Sequence, residues 1–101
     1  MRLLIQKFEP SSQVGEVTFH LPAGSIPINA RMSRMGDGEL VYTAPEESTA
    51  KTEPVTILFL WEDMKNTGGG EHDRWRHIGS WSFNSGGWQH AFAAVTKKAR
   101  A

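Results

Sequence analysis

The segment from Arg74 to Val95 limits the folds open to this chain more than any other. Trp75, His77, Gly79, Trp81 and Phe83 alternate with Arg74, Arg76, Ile78, Ser80 and Ser82, and a period of two places one set on each face of a strand. Asn84-Ser85-Gly86-Gly87 follows. Its glycines tolerate the positive φ that lets a chain double back, so Trp88, His90 and Phe92 return beside the first strand. The pattern predicts a C-terminal β-hairpin holding three of the chain's four tryptophans and anchoring the core.

The rest of the chain reads in the same way. Arg2 to Phe8 is a short strand stopped by Pro10, Ser11 and Ser12. In Val14 to Leu21, Val17 and Phe19 face away from Glu16, Thr18 and His20. Pro22-Ala23-Gly24 turns the chain into a strand over Ile26 to Met32. Pro27 has no N–H to give a ladder, so this strand sits at an edge or begins beyond the proline. Met35 to Gly38 signals a hairpin turn and Glu39 to Thr43 its return strand. Residues 44–53 are polar and aperiodic, a surface loop. Pro54 to Trp61 is the most apolar run, suited to a central strand buried on both faces. Glu62 to Asp73, with Gly68, Gly69 and Gly70, reads as a second long loop of the kind that often carries function. Only the turn after Ala93 has any helical character. Short strands joined by hairpin turns predict an all-β fold, a small antiparallel sandwich or barrel of six or seven strands, with Val17, Phe19, Ile57, Phe59, Trp81 and Phe92 in the core.

A length of 101 residues with 39% hydrophobic side chains fits one compact domain, 1–101, with residues 97–101 as a basic flexible tail. Eleven basic and eleven acidic residues leave no net charge, which argues against general nucleic-acid binding. The absence of cysteine excludes disulfides, thiolate nucleophiles and zinc-thiolate sites. No apolar run approaches the roughly 18 residues that span a bilayer. The expectation is a cytoplasmic chain that does not engage a membrane.

The chemical constellations are sparse. His72 and His77 flank Asp73, but their spacing is loose for a metal site built on one segment, and no metal or cofactor is expected. His90, between Trp88 and Phe92, reads as a largely buried, satisfied histidine. Ser80 or Ser82 with His90 and Asp73 spells a triad on paper, yet the nucleophile-elbow pattern is missing and no carboxylate pair is spaced for acid–base work. The chain is therefore expected not to be an enzyme. Gly68 to Gly70 lacks the Lys-Ser or Lys-Thr ending of a phosphate loop. Arg74 and Arg76, on one strand face among tryptophans, are suited to a phosphate, a carboxylate or an acidic protein surface.

Leu21-Pro22-Ala23-Gly24-Ser25, His77-Ile78-Gly79-Ser80 and His90-Ala91-Phe92 occur in that order. The order resembles a small family of unknown function found in phages, prophages and bacteria, with a Leu-Pro-x-Gly-Ala segment, an aromatic-Ile-Gly-Thr segment and a closing His-x-Phe strand. Here Ser25 and Ser80 replace the family's Ala and Thr, His77 its aromatic, and Gln89 stands where an aromatic is usual. The resemblance implies a compact β fold of phage type and carries over no catalytic residue.

The function expected is that of a non-enzymatic protein-interaction module, an inhibitor of a host protein or defence system. Trp61, Arg74, Trp75, Arg76 and Trp88 are its binding residues, because Trp and Arg dominate interface energies. The partner is a host protein or a second copy of the chain, since the aromatic surplus and free strand edges both favour self-association. The alternative is a protein that binds or sequesters a nucleotide or other small anion, with the arginines on phosphate and a tryptophan on a base.

Overall fold

The computed structural model describes residues 1–47, 51–64 and 72–97, with backbone only at 72–73 and 96–97. Seven strands follow one another: β1 (Arg2–Phe8), β2 (Gly15–Pro22), β3 (Ile26–Met32), β4 (Gly38–Ala44), β5 (Thr52–Trp61), β6 (His72–Ser82) and β7 (Trp88–Lys97). A single 3-10 turn at Pro10–Ser12 joins β1 to β2. Sheet A has the order β1-β4-β3 and sheet B the order β2-β5-β7-β6, with every pairing antiparallel. Among the described residues no helix is long and apolar enough to cross a membrane.

The alternation of side chains explains which faces meet. Leu40, Tyr42 and Ala44 of β4 and Ala30 of β3 turn inward from sheet A; Leu21, Ile57, Phe59, Trp81, Ala91 and Ala93 turn inward from sheet B, and together they form one buried cluster. Phe59 and Ile57 are fully buried, and enclosure of a side chain of this size stabilises by about 1.5–3 kcal/mol. Phe8 closes one end of the core, its ring 5.2 Å from that of Phe59 and 6.0 Å from that of Trp81. β5 lies between β2 and β7 and buries Ile57, Leu58 and Phe59 in succession, with Ile57 and Phe59 in the core and Leu58 on the outer face beside its partner Phe92. Pro27 lies on the edge strand β3, where the register slips between Pro27 and Asn29.

Several expectations need correction. β7 continues as strand to Lys97, so residues 94–97 form no helical turn; of the tail expected over 97–101, residues 98–101 lie outside the described residues. β5 and β6 extend into the expected loops, starting at Thr52 and His72. Phe92 is not in the core. Its cross-strand partners Leu58 and His77 lie on the outer face of sheet B, and it is partly exposed there. Trp88, His90 and Phe92 of β7 point outward while Ala91 and Ala93 point in, because sheet A lies close on that side. An ideal Cβ on Gly79 would fall 1.7 Å from the Ala30 carbonyl oxygen, so β6 and β3 meet backbone against backbone.

Candidate functional site

A bulge between His77 and Gly79 governs the outer face of sheet B. Regular alternation would put His77 and Ser80, three residues apart, on opposite faces; the extra residue brings both outward and turns Ile78 and Trp81 inward. Ser80 is then the direct cross-strand partner of His90, which also pairs with Leu60 of β5 on its other side. Glu62 lies two residues beyond Leu60 and so returns to the same face. Its backbone N–H is fixed to the Trp88 carbonyl at 2.9 Å, and the chain leaves through Asp63 at φ 72.

These placements create an unbroken hydrogen-bonded chain. Glu62 Oε1 lies 2.6 Å from His90 Nε2, His90 Nδ1 lies 2.7 Å from Ser80 Oγ, and Ser80 Oγ lies 2.7 Å from His77 Nε2. The carboxylate can only accept, so His90 donates from Nε2, and in the neutral ring its Nδ1 holds a lone pair. The Ser80 hydroxyl spends its single proton on that lone pair and accepts from His77 Nε2–H. The polarity of all three bonds follows from the one carboxylate. The His90 ring is 5.8 Å from that of His77, which meets Phe92 edge-on at 5.2 Å. The His90 side chain keeps 29% exposure and that of Glu62 56%. The chain is open to solvent, and His90 is not the enclosed core histidine that its aromatic neighbours suggested.

The expected binding residues divide into two groups. Trp75 and Trp88 belong to this outer face, opposite Ala94 and Ser82 and at either end of the hydrogen-bonded chain; Trp88 is 48% exposed and Trp75 partly so. Trp61 pairs with the inward-facing Gln89 and stacks on Phe83 at 4.8 Å, at the end of the core and away from them. Arg74 is exposed and opposite Thr96, while Arg76 is opposite Ala93. Register slips on both sides of Arg74 break the alternation that would have put the two arginines together. The Arg76 Nη2 group donates to the Pro27 carbonyl at 2.6 Å. It lines an open cleft of about 390 Å³ with Glu53, Pro54, Ser25 and Val55. A carboxylate in that cleft opposes a bound phosphate.

Neither Glu62 nor Gln89 is among the functional residues expected from the sequence. Gln89 is wholly buried: its Oε1 accepts from Trp81 Nε1 at 2.8 Å and its Nε2 donates to the Gln13 carbonyl at 2.8 Å. It fixes the inner face of β7, and through the pleat the outward aim of Trp88 and His90. The side chains of His72 and Asp73, the other members of the expected metal and triad arrangements, lie outside the described residues. Among the described residues, no group of three or more His, Cys, Asp or Glu side chains could hold a metal ion. Comparison with protein-family models, curated proteins and solved structures returns no match.

Proposed function

We propose that this chain is a cytoplasmic protein-interaction module that docks through the outer face of sheet B. The observation that carries this reading is the pairing of Trp75 and Trp88 at the two ends of one sheet face, with Trp88 48% exposed and polar groups between them. A large, rigid, half-exposed aromatic offers much contact area at a low ordering cost, which is why Trp so often anchors interfaces. The resemblance of the sequence to phage-type proteins favours a host protein as the partner and its inhibition as the outcome. A second copy of this chain is the other candidate, because β1 and β2 each pair on one side only among the described strands. Sequestration of a small anion is the weaker reading: Arg76 is tied to a backbone carbonyl and shares its cleft with Glu53.

Replacing both Trp75 and Trp88 with alanine is expected to weaken capture of the partner by more than about 2 kcal/mol, at the scale of interface hot spots. The control is the outer face of sheet A, where Leu3 and Ile5 are 65% and 47% exposed. The double replacement Leu3→Ser with Ile5→Ser should leave capture intact. The measurement is affinity capture from a bacterial lysate, then titration of the purified partner against each variant. Equal binding by the parent and the tryptophan variant, or loss confined to the sheet A variant, contradicts the assignment.

A further inference from the structure

We infer that Ser80 is a nucleophile toward acyl esters, activated by His90 and Glu62; this goes beyond the interaction reading and stands independently of it. A nucleophile and a base within hydrogen-bond reach, the base held by a third group, is the arrangement that activates a serine. Ser80 Oγ and His90 Nδ1 are 2.7 Å apart, and His90 Nε2 and Glu62 Oε1 are 2.6 Å apart. The carboxylate fixes the tautomer in which the lone pair of His90 faces the serine. His77 adds the remaining component. Its Nε2–H, 2.7 Å from the attacking oxygen, can turn to a carbonyl oxygen that becomes negative beside Ser80.

The steps balance without a cofactor. The Ser80 oxygen forms a bond to the ester carbonyl carbon as its proton passes to His90 Nδ1, and the carbonyl oxygen takes the negative charge beside His77. Collapse re-forms the carbonyl and breaks the bond to the alcohol or thiol, which leaves with the proton from His90. Water, deprotonated by His90, then releases the acid and restores the serine. Trp88 and Phe92 lie on the same strand face two residues either side of His90, so the surroundings suit an apolar acyl group. The open sheet face suits esters and thioesters with good leaving groups.

The test uses the full chain with a fluorophosphonate and with p-nitrophenyl butyrate. Covalent adducts are located by intact mass and peptide mapping, with melting checked for every variant. The expected result is one adduct at Ser80, absent in Ser80→Ala and unchanged in Ser82→Ala, which alters the neighbouring outward serine. His90→Ala should slow labelling at least about 100-fold, within the usual range for a general base. Glu62 is a positioning residue, and Glu62→Gln should lower kcat for the butyrate about tenfold or more with KM unchanged, an effect that lost packing alone would not produce. His77→Phe keeps the ring beside Phe92 and should cost about 100-fold. An adduct elsewhere, no adduct at all, or turnover that survives Ser80→Ala overturns the inference; survival would mean that an imidazole attacks the ester directly.

Discussion

Gly79→Ala should cost about 3 kcal/mol or more, at or beyond the upper end of the range for overpacking. The added Cβ would lie 1.7 Å from the Ala30 carbonyl oxygen and 2.8 Å from its carbon. Both obstacles are backbone, so no side chain can swing aside; β6 and β3 must separate. Ala91, the cross-strand partner of Gly79, and Ala30 are both buried, so separation also opens the core at this point. Domains of this size are typically stable by about 5–15 kcal/mol, and the change removes a large part of that. Urea unfolding monitored by tryptophan fluorescence gives the shift in midpoint. A Gly79→Ala protein within about 1 kcal/mol of the parent would mean that the two sheets do not touch along β3 and β6.

Gln89→Leu should destabilise by about 2–4 kcal/mol although it nearly conserves volume, because each buried polar group left unpaired costs about 1–3 kcal/mol. The two orphaned groups would be the Trp81 indole N–H and the Gln13 carbonyl. The double variant discriminates more sharply. Trp81→Phe removes the orphaned donor, so Gln89→Leu with Trp81→Phe should be less damaging than the sum of the two single changes, by about 1–2 kcal/mol. Additive losses in a double-mutant cycle would show that the Gln89–Trp81 bond does not exist.

How much of this was legible in the sequence depended on whether a feature is local. The seven strands follow from period-two alternation, Pro27 marked an edge, and the apolar run of β5 announced its central position. The hairpin between β6 and β7 follows from Asn84 to Gly87, with Gly86 at φ 99. The faces of β6 were less accessible. One extra residue between His77 and Gly79 reverses every later assignment, and alternation within β6 does not show where a bulge falls. Large apolar residues are usually buried, which points Phe92 inward, but the close approach of β3 reserves the inside of β7 for Ala91 and Ala93.

The site was half legible. Ser80 and His90 stand together in a triad on paper that the missing nucleophile elbow argues against, while Glu62, the carboxylate hydrogen-bonded to His90, is 28 residues from it and reaches it through the pairing of β5 with β7. Asp73 supplied the acid of that paper triad, and its side chain lies outside the described residues. Gln89 looked like a departure from an aromatic position, yet its polarity is what the Trp81 indole and the Gln13 carbonyl require.

The hydrogen-bonded chain from Glu62 to His77 is measured most directly by two-bond ¹⁵N–¹H correlation of the histidine rings. With the rings neutral, the account predicts that His90 carries its proton on Nε2 and that His77 also carries its proton on Nε2. Ser80→Ala should leave the first assignment in place, held by Glu62, and release the second toward a mixture of tautomers. A His90 ring protonated on Nδ1, or a His77 tautomer that does not respond to loss of the serine hydroxyl, would contradict it.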